Sequence, residues 1–105
     1  AEPESARRLL PVAAERGVAV IANRPFAEGA LFGRVKDRTL PAAAADHGCR
    51  SWAQLFLRWI LAHPAVTCAI PASNRIDYLE DNMAAGMGAL PGFEEQKALA
   101  RMAGF

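Results

Sequence analysis

The sequence has few cysteines, and this scarcity excludes several classes of protein. Cys49 and Cys68 are its two cysteines, too few for a disulfide scaffold or a thiolate zinc knuckle. With His47 and His63 they match no familiar spacing of metal ligands, so we expect no metal site. We expect both thiols to be packed as small apolar side chains, in a reduced, cytoplasmic environment.

Long apolar runs and net charge are also lacking. No run reaches the roughly 18 residues that span a bilayer, and no signal-peptide core opens the chain. The formal net charge is +1, which gives no electrostatic reason to expect nucleic acid or a membrane surface as a partner. With 105 residues, of which 52% are hydrophobic, we predict a single unit spanning residues 1–105. A first residue of Ala1 is expected either for a truncated product or after simple removal of an initiator methionine.

Catalytic fingerprints are absent as well. The sequence has no G-x-G-x-x-G or Walker phosphate loop and no serine nucleophile elbow. Neither histidine has a convincing acidic partner to orient it. These absences leave the ends of secondary-structure elements as the places where chemistry is expected.

Two short apolar runs predict parallel strands. Val18 to Ala22 and Val66 to Ile70 each follow a helical segment and end in a turn that leads towards another helix. This alternation is typical of βα units, and continuous apolar runs are typical of strands buried on both faces. We therefore predict two parallel strands, each covered by helices on both sides.

The strongest helix signal begins at Ser51, which forms an S-x-x-Q capping box with Gln54. Apolar side chains recur at three- and four-residue spacing as far as Ala62, and Gln54 and Arg58 are the clearly polar ones among them. We predict a helix that is nearly surrounded by protein, with both tryptophans in the core rather than stacked on a ligand.

Other helices are predicted on either side of this one. Ser5 to Arg16 is helical in composition, and Pro11 is expected to kink it or to mark the first turn of a second piece. Ala27 to Arg38 is predicted to be a loop, and Leu40 to His47 a short helix closed by a glycine. After the second strand we predict a helix capped by Asn74 with Asp77, whose apolar face carries Ile76, Leu79 and Met83, and a last helix over Phe93 to Met102.

The whole pattern is a helix-rich α/β chain with about two parallel strands and four to five helices. Two parallel strands do not make an independent sheet, because their faces and edges need covering. We therefore expect part of a larger α/β fold, or a chain that self-associates. Ligands of such folds bind beyond the carboxyl ends of the strands, which here are Asn23 to Phe26 and Pro71 to Arg75.

The second of these segments leads into a helix N-terminus, where free amides and the helix dipole favour a phosphate. Ser73 would add a hydroxyl donor and Arg75 a positive charge. The alternative is that Ser73 or Asn74 merely caps the helix and Arg75 is solvated. The pattern alone leaves both interpretations open.

Taken together, these segments resemble the aldo-keto reductases. The stretch 52–85 is similar to that family's seventh helix, eighth strand and eighth helix, with an I-P-x-S turn at Ile70–Ser73 and an E-N-like ending at Asp81-Asn82. Upstream, ERGVAVIANRPFAEGALF is similar to the seventh strand and its loop in one branch of the family. The Q-L-x-L-R-W-x-L motif is matched by Gln54, Leu55, Leu57, Arg58, Trp59 and Leu61.

The resemblance implies a (β/α)8 barrel that moves hydride between NADPH and a carbonyl. The family's catalytic Asp, Tyr, Lys and His come from the first four strands, and no residue here matches them. The chain corresponds to the region from the sixth helix to the C-terminal helix, the last third of a barrel of about 250 residues. We expect it to be inactive alone and to need the missing N-terminal segment.

The resemblance also implies which residues hold the cofactor. Ser73 matches the serine that helps hold the adenosine 2′-phosphate, and Asn82 the asparagine that contacts adenine. Asp81 replaces the usual glutamate at the adenine. Ala72 and Tyr78 stand where NADPH-preferring members often place Lys and Arg, so the choice between NADP and NAD stays open.

Arg75 lies about one helical turn from Tyr78, and we predict that it substitutes for the missing cations. On that hypothesis Arg75→Ala weakens NADPH more than NADH. Asn23 matches a position where many members place an aromatic side chain on the nicotinamide. Residues 28–30 would lie over the pyrophosphate, where the charge of Glu28 is unfavourable.

Two other functions remain as alternatives at this point. One is a non-enzymatic nucleotide-binding or oligomerisation module that uses the exposed barrel edge. The other is a redox protein, which would require Cys49 and Cys68 to meet.

Overall fold

A pair of short parallel strands forms the sheet. The computed structural model describes residues 4–104, and in it β1 (Ile21–Ala22) pairs with β2 (Cys68–Ala69) in parallel. The Thr67 N–H donates to the Val20 carbonyl over 2.8 Å, which extends the pairing beyond the strands. The parallel arrangement predicted from the sequence is confirmed.

The predicted burial of these strands is wrong. The side chain of Ile21 is 60% exposed and that of Ile70 is 51% exposed. Cys68 is exposed too, so the prediction of two packed thiols holds for Cys49 and fails for Cys68. The reason is tertiary: an apolar run becomes buried only where other elements cover it, and within the described chain these faces are left to solvent.

Six α-helices are found between residues 4 and 104, more than the four to five predicted. In chain order they are α1 (Glu4–Arg7), α2 (Leu9–Glu15), α3 (Ala30–Val35), α4 (Trp52–Leu61), α5 (Ile76–Ala84) and α6 (Phe93–Ala103). Two 3₁₀ helices, Ala27–Gly29 and Ala42–His47, lie between β1 and α4. None of the helices in this part of the chain combines the length and apolarity needed to cross a bilayer.

The first predicted helix is divided into α1 and α2. The backbone leaves the helical conformation at Arg8, and Pro11 falls in the first turn of α2, where its missing N–H breaks no helical hydrogen bond. Gly17 ends α2 with a positive φ of 65°. The predicted second piece is confirmed.

Helix α3 corrects the prediction of a loop over Ala27 to Arg38. Leu31 and Val35, one turn apart, are both buried in the core. Their i, i+4 spacing gives the segment an apolar stripe. Gly33 and the neighbouring charges conceal that stripe in the sequence. The next predicted helix, Leu40 to His47, is found as a 3₁₀ helix that begins two residues later, at Ala42, and is closed by Gly48 as predicted.

Helix α4 lies at the centre of the chain and packs against both α5 and α6. Ser51 caps it by accepting the Gln54 N–H over 3.1 Å, as predicted. The Gln54 side chain, however, accepts from the N–H of Arg50 rather than from that of Ser51. No side chain of α4 is exposed, which confirms the prediction of a surrounded helix.

The core forms around α4. Trp52 and Trp59, both on α4, pack against this core, as predicted. Arg38 connects the core to the end of α6, because its guanidinium donates to the carbonyls of Met102 and Ala103. The buried residues of this cluster are Leu31, Val35, Ala44, Cys49, Leu55, Phe56, Leu99 and Ala103.

The N-cap of helix α5 lies one residue later than predicted. Arg75 occupies the N-cap position, so the prediction of Asn74 as the cap is wrong. Ile76 and Met83, predicted on an apolar face, are exposed because no described element covers that face. Helix α6 extends one residue beyond the predicted Phe93 to Met102.

Candidate functional site

A cleft of about 350 Å³ lies where the N-terminus of α4 meets α5. Three of the predicted cofactor residues, Ser73, Asp81 and Asn82, line it. They come from the turn after β2 and from the last two turns of α5. The rest of the lining consists of four aromatic side chains and three small ones: Phe26, Phe32, Trp52, Tyr78, Ser51, Ala53 and Ala72.

Asp81 connects the two helices at this cleft. Its carboxylate accepts the Ser51 hydroxyl over 2.6 Å and the Gln54 amide over 3.0 Å. Gln54 also donates to the Asp81 carbonyl. Both carboxylate oxygens are therefore engaged by side chains at the start of α4.

Among the six predicted cofactor residues, Asn82 is the one that is buried, with 8% of its surface exposed. It lies on the wall of the cleft. A carboxamide offers a donor and an acceptor at once. That pair of groups suits the edge of a heterocyclic base.

At the N-terminus of α5, Ser73 and Arg75 form a local network. The Arg75 N–H donates to the Ser73 oxygen, and the Ser73 hydroxyl donates to the Arg75 carbonyl. The Arg75 guanidinium makes two hydrogen bonds to the Asp77 carboxylate, over 3.0 and 2.7 Å. It also lies over the Tyr78 ring, 4.1 Å from the ring centroid.

This pairing shifts both charged groups in the expected directions. The hydrogen bond from Arg75 lowers the pKa of Asp77 below its ordinary value, and the same bond raises the pKa of Arg75. Backbone N–H groups of Tyr78 and Asp77 also lower the pKa of Asp77. The carboxylate is held by the Arg75 guanidinium beside the first turn of α5.

Asn23 does not join this cleft. It lines a separate groove of about 870 Å³ between the end of β1 and α6. Its side-chain oxygen accepts the Arg24 N–H over 2.9 Å. Asn74 and Arg75 are also outside the lining of the smaller cleft, so the structure brings together three of the six predicted site residues.

The loop after β1 has an unusual backbone. Arg24, Ala27 and Glu28 all have positive φ angles near 50°, a region that costs energy for residues with a Cβ. Arg24 forms an exposed ion pair with Glu28 over 3.2 Å. The charge of Glu28, unfavourable beside a pyrophosphate, is thus countered within the same loop.

The part of the chain that the structure describes contains neither a metal-binding cluster nor a disulfide. No group of three or more His, Cys, Asp and Glu side chains there is placed to hold a metal ion. Cys49 is buried and Cys68 is exposed, and both are free thiols. Burial raises the pKa of the Cys49 thiol, and the positive charge of Arg58 acts in the opposite direction.

The aromatic wall of the cleft is what the sequence analysis missed. The sequence predicts Trp52 for the core alone and Phe26 only as part of the segment that follows the first strand, and it predicts no role for Phe32. Phe26 and Phe32 stand 4.9 Å apart between ring centroids, and Phe32 in turn meets Phe56 at 5.8 Å. The N-R-P-F turn was the available signal, since it follows a strand end.

Comparison with known proteins agrees with the resemblance described above. The model of the aldo/keto reductase family matches residues 2–92. An uncharacterized oxidoreductase of Schizosaccharomyces pombe is 33% identical over 74% of this chain and 24% of its own length. An aldo-keto reductase of Strobilurus tenacellus is 30% identical over 89% of this chain and 35% of its own length. The chain thus spans about a quarter to a third of these relatives, and no solved structure gives a significant match.

Proposed function

Because this chain belongs to the aldo/keto reductase family, we propose that it is the C-terminal third of a reductase barrel and supplies part of the nicotinamide nucleotide site. The family implies a (β/α)8 fold, and two parallel strands with helices around them are consistent with a partial barrel. The proposed role of this third is to bind the nucleotide, while hydride transfer needs residues from the first four strands.

The observation that carries the proposal is the convergence of Ser73, Asp81 and Asn82 on one cleft. The cleft also has aromatic side chains, which suit a planar base. A polar edge beside an aromatic wall is what an adenine ring requires.

We assign each residue a task in holding the nucleotide. Asn82 would bond the adenine edge, and Asp81 would keep α4 and α5 in place around it. Ser73 and Arg75, with Asn74 between them, would meet the phosphate on the ribose, and Asn23 would lie towards the nicotinamide. When bound, the cofactor supplies a hydride to a carbonyl carbon.

Nucleotide binding tests the assignment directly. Trp52 lines the cleft, so its fluorescence should change when 5′-AMP binds to the chain. Asn82→Ala should weaken that binding about tenfold, because it removes a donor and an acceptor from the base edge. Met83→Ala, an exposed neighbour on α5, is the matched control. Equal affinities in the two variants would contradict the role of Asn82.

A second experiment tests the position of the chain in a barrel. Mixing it with the N-terminal two thirds of a relative should restore NAD(P)H-dependent carbonyl reduction that neither piece has alone. Activity of the chain by itself would contradict the proposal. So would a mixture that stays inactive while the two pieces demonstrably bind.

The exposed strand faces favour a second candidate function, self-association. Ile21 lies in β1 and Ile70 directly follows β2. Both are exposed, and exposed apolar patches of this kind mark interfaces. The partner is either the rest of a barrel or, in its absence, a second copy of this chain.

A further inference from the structure

Gln54 holds the peptide group that precedes Asn82. Its side-chain amide donates to the Asp81 carbonyl over 3.1 Å and to the Asp81 carboxylate over 3.0 Å. That carbonyl belongs to the planar peptide that joins Asp81 to Asn82, so holding it restricts where the next Cα can lie. It also lies in the last turn of α5, where a helix has no further N–H donors of its own. The position of Asn82 is therefore set from α4 as well as from its own helix.

The contacts of Gln54 are buried and use both ends of its carboxamide. The residue is 4% exposed, and its side-chain oxygen accepts the Arg50 N–H over 2.8 Å. With both ends engaged, the amide has one orientation, in which its donors face α5. Gln54 is not among the described residues that line the cleft. It can therefore act on a bound molecule only through Asp81 and Asn82.

The carboxamide of Asn82 is in the opposite situation. Asn82 lines the cleft and is 8% exposed, and its side chain makes no hydrogen bond to another residue within the described range 4–104. A buried polar group without a partner costs free energy. A ligand that offers a matching donor and acceptor would recover that cost.

From these contacts we infer that Gln54 is a positioning residue, which acts through the Asp81–Asn82 peptide to direct the Asn82 carboxamide at the 6-amino edge of an adenine ring. The inference rests on the proposed function of the cleft. A hydrogen bond weakens steeply as its angle departs from linear, so a small shift of the peptide is enough to lose recognition of the amino group. Asn82 contacts the base, and Gln54 determines how selectively it does so.

The test compares 5′-AMP with purine riboside 5′-monophosphate, which lacks the 6-amino group. Both affinities are measured by calorimetry, and circular dichroism checks folding. The wild-type chain should prefer 5′-AMP about fivefold, the scale of one neutral hydrogen bond. Gln54→Leu should reduce this preference below about twofold and change the affinity for the second probe by no more than about twofold.

Gln54→Glu adds a readout that a loss of stability alone would not produce. At about pH 8 the introduced carboxylate has no proton to donate and repels that of Asp81, so the preference for 5′-AMP should be lost. Near pH 5 the pair should take up a proton, because neighbouring like charges raise the pKa of one carboxyl. The donor is then restored, and the preference should recover most of its wild-type value. The wild-type preference should be the same at both pH values, since the two probes carry the same phosphate.

Gln96→Leu is the matched control. The Gln96 amide donates to the Trp59 carbonyl over 2.8 Å, so it also joins a neighbouring helix to α4, but it does not line the cleft. Its loss should leave the preference for 5′-AMP unchanged. An equal reduction in this variant would overturn the inference, because the effect would then be one of general destabilisation.

The remaining outcomes separate the inference from the function on which it rests. If Gln54→Leu keeps the wild-type preference, Gln54 does not position Asn82 and the inference is overturned. Should Gln54→Leu fail to fold, Gln54→Glu decides, and a preference that does not change with pH overturns the inference. Equal binding of both probes to the wild-type chain would overturn it while nucleotide binding stands. If neither probe binds, the proposed nucleotide site fails and the inference falls with it.

Discussion

Arg58 shows how one buried cation organises a connection. Its side chain is 5% exposed, and its guanidinium donates to the carbonyls of Ala85, Met87 and Ala89. These carbonyls belong to the end of α5 and the segment that follows it. Gly48 packs against the same guanidinium, and a Cβ there would come within 3.4 Å of Cζ. A residue of α4 thereby fixes the path from α5 to α6.

Replacing Arg58 should destabilise the chain strongly. Arg58→Met keeps most of the volume but leaves three carbonyls without donors, so we expect the free energy of unfolding to fall by about 3 kcal/mol. Urea unfolding followed by circular dichroism measures the loss. Arg101→Met, at an exposed position on α6, should cost no more than about 0.5 kcal/mol. Similar losses in the two variants would show that the buried hydrogen bonds matter little.

The two cysteines should react with a thiol reagent at very different rates. Cys68 is exposed, whereas Cys49 is buried and its pKa is raised by that burial. Because the thiolate is the reactive form, Cys49 should react about 100-fold more slowly in the folded chain. A disulfide-exchange assay should show one fast thiol, which Cys68→Ser removes, and a second that appears in denaturant. Two fast thiols in the native chain would contradict the burial of Cys49.

At the N-terminus of α4, one carboxylate forms the polar connection to α5. Asp81 joins the cap of α4 to α5 through Ser51 and Gln54. Asp81→Ala should lower the free energy of unfolding by about 2 kcal/mol, because it leaves a hydroxyl and an amide without their charged acceptor. Glu80→Ala, which removes an exposed acid from the same helix, is the control for charge and should have a small effect. Thermal unfolding of both variants measures the two losses. Equal losses would show that the hydrogen bonds of Asp81 do not stabilise the chain.

How much of this could be predicted from sequence differs from element to element. Helix α4 was predictable because its apolar spacing and the Ser51 cap agree. The Gln54 side chain was misassigned because its partners, Arg50 and Asp81, are chosen by tertiary packing. Helix α3 was missed because Gly33 interrupts a stripe of only two buried residues. Of the site, local sequence could indicate strand ends and a helix N-terminus, but not that Asp77 would take up Arg75.

At the scale of the whole molecule, one side of the chain is well packed, whereas the other, the apolar side, exposes apolar side chains to solvent. Leu55, Phe56 and Leu99 are fully buried. Ile21 in β1 and Ile70 just after β2 are mostly open to solvent. The sequence could not reveal this asymmetry. The residues of an apolar strand are the same whether the elements that bury it belong to this chain or to another one.

The apolar side should make the chain associate. Light scattering after size-exclusion chromatography should give a mass that rises with concentration above that of the 11.3 kDa monomer. Ile21→Lys should reduce association, because it places a charge within the patch. Thr39→Lys adds the same charge at an exposed loop position and should leave association unchanged. A monomer at every concentration would exclude self-association.

The strand pair has a kinetic consequence. It joins segments 47 residues apart in the chain through the hydroxyl of Thr67, which accepts the Val20 N–H over 3.0 Å. The amides of α4 are instead held by local hydrogen bonds inside a buried core. Hydrogen–deuterium exchange should therefore reach the amides of Val20 and Thr67 through local opening, well before those of Leu55 and Leu57. The strand edge that the rest of the proposed barrel would cover is then expected to open before α4.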